Sequence, residues 1–243
     1  MELAGRVALV TGAGRRLGRA LAEALGRAGA RVMVHYSASA SGAAKTVESI
    51  RAAGGDADSI RADLLLAGSA APLIEQTVSR FGTLDVLVNS AAIMERTPLG
   101  SVTAEQWDEM FALNLRAPFL LAQAAAPVLT SRRGVIINIA DLAAFETWPA
   151  YIPHSITKAG VVQMTRGLAR VLGPAVRVNA IAPGAVLLPH DWDATSGEHL
   201  EETTPLRRLG SPDDVVGAML YLIGADYVTG ETIIVDGGRH VRT

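Results

Sequence analysis

The segment from Arg6 to Arg19 constrains the fold of this chain most strongly. It opens with an aliphatic and β-branched run, too short for a helix, which predicts a buried strand. Gly12, Gly14 and Gly18 follow at once, and apolar side chains at helical spacing come next. In such a strand–turn–helix unit, backbone N–H groups and a helix N-terminus face the turn, and the missing Cβ atoms let a pyrophosphate approach. A plain tight turn between strand and helix is the alternative.

Strand-like and helix-like stretches alternate along the chain, which predicts right-handed crossovers and a mostly parallel sheet. We therefore expect an α/β protein with a single-domain Rossmann fold over residues 1–243, its doubly wound seven-stranded sheet covered by helices on both faces. Capping signals predict helix starts at Thr103 and Ser211. The long irregular stretch at about 185–210 is typical of a lid or a binding loop. The predicted strands are Val7–Val10, Arg31–His35, Asp58–Arg61, Val86–Asn89, Val135–Ala140, Arg177–Ile181 and Thr232–Val235.

Composition excludes several classes of function. The formal net charge is −2 with charges spread along the chain, so we expect no nucleic-acid partner. The chain has no cysteine and its five histidines lack the spacing of metal ligands, so we expect neither a disulfide nor a metal. No charged and apolar leader precedes the first strand, and no apolar run reaches about 18 residues. We therefore expect a cytoplasmic protein without a membrane partner.

In a parallel α/β sheet the ligand lies beyond the carboxyl ends of the strands. At the end of the second strand, the stretch 35–39 offers no carboxylate to accept hydrogen bonds from an adenine-ribose diol. Arg15 and Arg16 make the glycine turn cationic, which suits a 2′-phosphate and therefore NADP(H). Solvated loop charges are the alternative for this pair. After the third strand, Asp63 and Leu64 are placed to cap an adenine.

Two later strand ends carry the remaining candidates. The segment 89–92, Asn-Ser-Ala-Ala, either lets a ribose approach or is a plain turn. Asp141 follows the fifth strand, and Tyr151, His154 and Lys158 come after it. His154 and Lys158 share a helix face, since they are spaced i,i+4, and Tyr151 joins that face only if the helix begins early enough. A surface His–Lys pair is the alternative.

These motifs fall in the same order as in a known family. They are Thr11-Gly12 with Gly18, Asp63-Leu64, Asn89-Ser90-Ala91-Ala92, Asn114, the segment 141–158, Asn179 with Pro183-Gly184, and Asp236-Gly237-Gly238. Together they resemble the classical short-chain dehydrogenase/reductase family from about residue 6 to the C-terminus. The ordered set is specific, although each piece alone is not. The glycine turn, His35-Tyr36, Asp141 and the ending 236–240 look most like the pteridine reductase branch.

The resemblance implies a role for each site residue. Lys158 would bind the nicotinamide ribose and hold a positive charge near the proton donor, while Asn114 would support a water chain. Asp141 would orient the substrate or the donor, Val186 would contact the carboxamide, and the loop at about 185–210 would close over the substrate. The implied catalytic residues are Asn114, Asp141, Tyr151, His154 and Lys158. The implied cofactor-binding residues are Gly12, Arg15, Arg16, Leu17, Gly18, His35, Tyr36, Ser37, Asp63, Leu64, Asn89, Ser90, Ala91, Lys158, Pro183, Gly184 and Val186.

This sequence departs from the family pattern at two positions. The family places its catalytic tyrosine four residues before the lysine, and here that residue is His154. The pteridine reductases carry an aromatic residue that stacks on the pterin, and here the matching position is Met94. In that branch an aspartate, as at Asp141, takes the place of the usual catalytic serine.

The resemblance implies an NADPH-dependent reductase of a carbonyl or a pterin-like C=N group, acting by hydride transfer on a small molecule. Either His154 or Tyr151 would donate the proton. Members of the family are commonly homotetramers, with the helices around Asn114 and Lys158 at the interfaces. The alternative is a dinucleotide-binding protein with little or no turnover, serving as a sensor or an interaction subunit.

Overall fold

The computed structural model describes residues 1–187 and 194–241. The chain forms seven strands: β1 Val7–Val10, β2 Arg31–Tyr36, β3 Ala57–Arg61, β4 Val86–Asn89, β5 Val135–Ile139, β6 Arg177–Pro183 and β7 Thr232–Val235. They are parallel and form one sheet in the order β3-β2-β1-β4-β5-β6-β7. The predicted seven strands and the single-domain Rossmann fold are thus confirmed.

Helices cover both faces of the sheet. They are α1 Arg16–Arg27, α2 Ala40–Ala52, α3 Ala70–Phe81, α4 Ala104–Phe111, α5 Ala117–Arg132, α6 Ile152–Leu172, α7 Ala194–Thr203 and α8 Pro212–Gly224. One apolar core joins alternate strand residues to α1, α2 and α8, and a second core joins the other strand faces to α3 and α5. The order of the strands reverses between β1 and β4, which opens the crevice where ligands bind in such sheets.

Local sequence signals explain where several helices begin. Both predicted capping boxes form, at Thr103 before α4 and at Ser211 before α8. Each satisfies backbone N–H groups that the first turn of a helix leaves without partners.

The sequence indicated an irregular stretch at about 185–210, but helix α7 lies within it. Only Ala194 and Leu200 of this helix are apolar, too few to display a helical period. Leu200 is nevertheless buried, so packing against the rest of the fold stabilises a helix that the local pattern does not reveal. Residues 188–193 of the predicted loop lie outside the described part of the chain.

Helices α4 and α5 are joined by a π-helical segment, Ala112–Arg116, into one helical run. By length and composition, this run is the one helix in the described ranges that is apolar enough to cross a membrane. Leu121, Ala125 and Leu129 on it are fully buried in the core around β4 and α3, which accounts for its apolar composition.

Candidate active site

The glycine turn after β1 packs directly against the connection that follows β4. Gly12 has φ +67°, and a Cβ built on it would lie 2.9 Å from the Cα of Ala91. A Cβ on Gly18 would lie 2.4 Å from the carbonyl oxygen of Gly12. The glycines are therefore required by contacts within the protein itself, whereas the sequence pointed only to the approach of a ligand.

The side chain of His35 is hydrogen-bonded to this turn. Its ring is only 2% exposed, its Nδ1 accepts a hydrogen bond from the Gly12 amide at 3.1 Å, and its Nε2 faces the Ala62 carbonyl at 3.1 Å. Burial lowers the pKa of His35 to about 4, although the hydrogen bond to the Ala62 carbonyl raises it by a smaller amount. The ring is thus neutral at pH 7, with its proton on Nε2. The sequence placed His35 among the cofactor contacts, but its side chain does not reach the surface and instead holds the turn.

The N-terminus of α1 opens on the same crevice. Arg15 is its N-cap residue and makes no side-chain cap, so the first-turn N–H groups keep their capacity to bind an anion. Arg15 and Arg16 are both exposed, Leu17 is half-buried, and Arg16 donates to the carbonyl of Leu187 at 3.0 Å.

A further arginine, which sequence analysis did not identify, lies at the end of the neighbouring strands. Arg61 pairs with Tyr36 in the sheet and donates to the carbonyl of Ser37 at 3.2 Å. Tyr36 is half-buried and Ser37 is exposed at the carboxyl end of β2. The sequence signal that could have identified Arg61 is its position as the last residue of a predicted strand, where ligands bind in such sheets.

The predicted adenine segment follows β3 and the predicted ribose segment follows β4, which flank β2 and β1 in the sheet. Asp63 is exposed and accepts a hydrogen bond from the Leu65 amide at 3.0 Å, while Leu64 is buried. The amides of Ser90 and Ala91 donate to the Thr11 hydroxyl at 2.9 and 3.0 Å. These bonds join the segment after β4 to the segment after β1.

The end of β6 forms another wall of the crevice. Gly184 hydrogen-bonds the carbonyl of Val235 at 2.9 Å, and a Cβ on it would lie 2.7 Å from the Cβ of Asp236. Pro183 ends the strand, and Val186 is half-buried just beyond it.

Asn114 lies in the π-helical segment, a distortion that is frequent at functional sites. Its Oδ1 accepts from the Ile93 amide at 2.9 Å, and its Nδ2 donates to the Ile93 carbonyl at 2.9 Å and to the Thr157 hydroxyl at 3.2 Å. Asn114 therefore holds the Ile93 peptide from both sides and ties it to α6. The sequence offered no signal for Ile93, because it takes part only through its backbone.

His154 lies next to this peptide and faces Asp141. Its Nδ1 is 3.2 Å from the Ile93 carbonyl, and its Nε2 is 3.5 Å from Oδ2 of Asp141. The other carboxylate oxygen of Asp141 accepts from the Ala143 amide at 2.8 Å and so caps the short 3-10 turn after β5. The His154 side chain is 2% exposed and the Asp141 side chain 24%.

Lys158 lies one turn further along α6. It is buried, and its ammonium group donates to the Ile139 carbonyl at 2.9 Å. Burial lowers the pKa of Lys158, and the nearby Asp141 carboxylate partly opposes that effect. The structure thus brings Asn114, Asp141, His154 and Lys158 together.

Tyr151 stands apart from this group. It is the N-cap residue of α6, so it precedes the helix and does not share its His154–Lys158 face. Its ring contacts Trp148 edge-on, with the centroids 6.2 Å apart. Because α6 begins at Ile152, Tyr151 lies one residue before the helix and is not on the face that carries His154 and Lys158.

A chain of buried polar side chains continues from the site into the core. Asn89 donates to Asn138 at 2.8 Å, and Asn138 donates to the Thr165 hydroxyl at 2.9 Å. A cavity of about 10 Å³, the size of one water molecule, is lined by Asn89, Asn138, Asn114 and Lys158 among others.

The chain is similar to known proteins over almost its whole length. A family model described as enoyl-(acyl carrier protein) reductase matches residues 12–240. A candidate ketoacyl reductase 2 of the granaticin polyketide synthase from Streptomyces violaceoruber is 39% identical and covers 97% of this chain and 96% of the relative. The 3-oxoacyl-(acyl-carrier-protein) reductase FabG of Staphylococcus aureus strain Mu50 is 37% identical, covering 96% and 98%. The crystal structure of a gluconate 5-dehydrogenase from Burkholderia cenocepacia J2315, in complex with NADP and tartrate, superposes with a TM-score of 0.92 at 31% identity, covering 99% and 97%.

Proposed function

The chain belongs to the short-chain dehydrogenase/reductase family, and from that premise we propose that it is an NADPH-dependent reductase of a carbonyl group. The observation that carries the proposal is the convergence of Asp141, His154 and Lys158 at the carboxyl end of β5. A carboxylate that faces an imidazole beside a buried ammonium is an arrangement for moving protons. A protein that only binds a dinucleotide does not need it.

The crevice fits a phosphorylated dinucleotide. The uncapped N-terminus of α1 and the exposed Arg15 and Arg16 offer N–H groups and positive charge to phosphates, and the stretch 35–39 contains no carboxylate to repel a 2′-phosphate. When bound, NADPH supplies a hydride. Lys158 would hold its nicotinamide ribose and Val186 its carboxamide, as in the family the chain resembles.

A 3-oxoacyl thioester is the first substrate to test. Relatives that are 37% and 39% identical over nearly the whole chain are named as ketoacyl reductases, which supports this class. A pterin-like C=N group is the second class, favoured by the aspartate at Asp141 and disfavoured by Met94.

The two lysines of the chain provide a matched test. Lys158 is buried in the site, whereas Lys45 is exposed on α2. We expect the wild-type protein and Lys45→Met to consume NADPH with at least one carbonyl substrate of a panel of 3-oxoacyl thioesters, ketones and pterins. Lys158→Met should reduce kcat/KM by a hundredfold or more, on the order of 3 kcal/mol. Equal activity of the two variants would contradict the proposal.

A binding protein without turnover is the second candidate, favoured by the histidine in place of the family's tyrosine. This candidate predicts that the protein binds NADPH, which a titration followed by NADPH fluorescence would show. It also predicts that no substrate in the panel of 3-oxoacyl thioesters, ketones and pterins is reduced.

We also propose a cytoplasmic homotetramer. Trp107, Phe119 and Ile156 on α4, α5 and α6 are 38%, 45% and 43% exposed, and apolar side chains concentrated on neighbouring helices favour association. Light scattering of the purified protein tests the stoichiometry, and a monomer at micromolar concentration would contradict it.

A further inference from the structure

We infer that Asp141 donates the proton to the substrate and that His154 is the buried proton source behind it, not the group that touches the substrate. This inference rests on the proposed reductase function and assigns its proton path. It reverses the expectation from the sequence, in which either His154 or Tyr151 is the direct donor.

The orientation of the imidazole is set by a backbone carbonyl. The Ile93 oxygen, 3.2 Å from Nδ1 of His154, can only accept, so Nδ1 carries a hydrogen. Asn114 holds that oxygen in place through paired bonds to the Ile93 amide and carbonyl. The exchangeable nitrogen is therefore Nε2, and Asn114 is a positioning residue for it.

The second face of the ring meets another acceptor. Nε2 lies 3.5 Å from Oδ2 of Asp141 and has no hydrogen-bond partner among the described residues. Two lone pairs cannot stabilise each other, so the contact is favourable only when one proton is shared between Nε2 and Oδ2. The Lys158 ammonium, one turn along α6, is a charged group beside the pair, and the segment at Ile93 contributes a neutral peptide. The pair thus stores one proton.

Exposure decides which of the two meets the substrate. The Asp141 side chain is 24% exposed, whereas the His154 side chain is 2% exposed and its Nε2 is buried. Oδ1 of Asp141 accepts a hydrogen bond from the Ala143 amide, and Oδ2 is the oxygen that lies beside the imidazole. In the inferred path the substrate oxygen therefore meets Oδ2 and does not contact the buried Nε2.

One proton moves from His154 to Asp141 and then to the substrate. The pair begins as imidazolium and carboxylate; the N–H bond at Nε2 breaks as an O–H bond forms at Oδ2. That O–H bond then breaks as the substrate's carbonyl oxygen, whose carbon accepts hydride from the proposed nicotinamide reductant, becomes a hydroxyl. The pair is left as neutral imidazole and carboxylate and takes one proton from solvent before the next turnover.

The arrangement of the pair is tested without turnover by ¹⁵N NMR of the histidine-labelled protein. We expect the His154 Nδ1 signal to be that of a protonated nitrogen. Asp141→Asn should shift the Nε2 signal and leave Nδ1 in place. An unprotonated Nδ1, or an Nε2 signal unmoved by Asp141→Asn, overturns the inference.

The direction of transfer is tested by pH profiles of kcat. Asp141→Asn should lower kcat by a hundredfold or more at every pH, as expected on loss of a general acid. His154→Gln should lower kcat and change the shape of its pH profile, because the proton must then reach Asp141 from solvent. Glu75→Gln, on the exposed face of α3, is the control and should match wild type. Retained kcat in Asp141→Asn, or an unchanged profile in His154→Gln, overturns the proton path alone, whereas a wild-type protein that reduces no substrate overturns the proposed function with it.

Discussion

The amide of Gly12 donates a hydrogen bond to Nδ1 of His35, 3.1 Å away, so a buried histidine holds the glycine turn of the crevice. The bond exists only while Nδ1 is unprotonated. The stability of the turn therefore depends on pH.

Acidification should destabilise the protein through His35. Burial lowers its pKa from 6.5 to about 4, so between these values the unfolded chain binds a proton that the native chain does not. This contribution to stability is complete above about pH 6.5 and is lost at about 1.4 kcal/mol per pH unit as the pH falls toward 4. Between pH 7.5 and pH 5, the free energy of unfolding measured in urea should fall by about 2 kcal/mol more in the wild type than in His35→Gln. In the control His199→Gln, the free energy of unfolding should fall with pH as it does in the wild type. If it falls equally in His35→Gln, then His35 does not cause the loss of stability.

Gly18→Ala and Gly167→Ala should change stability in opposite directions. A Cβ on Gly18 would lie 2.4 Å from the Gly12 carbonyl oxygen, so the turn has to shift, at a cost of about 1–3 kcal/mol. Gly167 is exposed within α6, where a Cβ meets nothing within 4 Å, and alanine there should stabilise by about 0.5–1 kcal/mol. Chemical denaturation measures both, and the same sign for the two variants would contradict the packing argument.

The protein should bind NADP⁺ more tightly than NAD⁺. Charge-assisted hydrogen bonds from Arg15 and Arg16 to a 2′-phosphate should contribute about 1.5–3 kcal/mol, or roughly ten- to a hundredfold in Kd. Arg15→Ala should weaken NADP⁺ and leave NAD⁺ unchanged, and Arg27→Ala, exposed at the other end of α1, should affect neither. Calorimetric titration decides this, and NAD⁺ binding as tight as NADP⁺ binding would refute it.

Pterins should be poor substrates because of Met94. Its thioether is 41% exposed and offers no flat ring on which a pterin can stack. Met94→Phe should raise kcat/KM for dihydrobiopterin by about two- to tenfold, the equivalent of about 0.5–1.5 kcal/mol. Leu99→Phe, on the same connection and 87% exposed, is the control. Wild-type turnover of dihydrobiopterin that equals turnover of the best carbonyl substrate would contradict this prediction.

The local pattern of the chain determined most of the architecture. The strands from Val7–Val10 to Thr232–Val235 and the capping boxes at Thr103 and Ser211 follow from periodicity and from side chains within a few residues. The same locality explains why α7 was missed, since only burial of residues such as Leu200 stabilises it.

Only the tertiary structure decided what the polar residues of the crevice do. The sequence does not show that His35 is buried against the glycine turn or that His154 faces Asp141, because both environments include groups from other segments of the chain. The Ile93 carbonyl that orients His154 lies 61 residues from it and is a backbone atom present in every residue. Protonation, tautomer and access to substrate depend on burial and on the direction of such partners, and these arise only when the elements pack together.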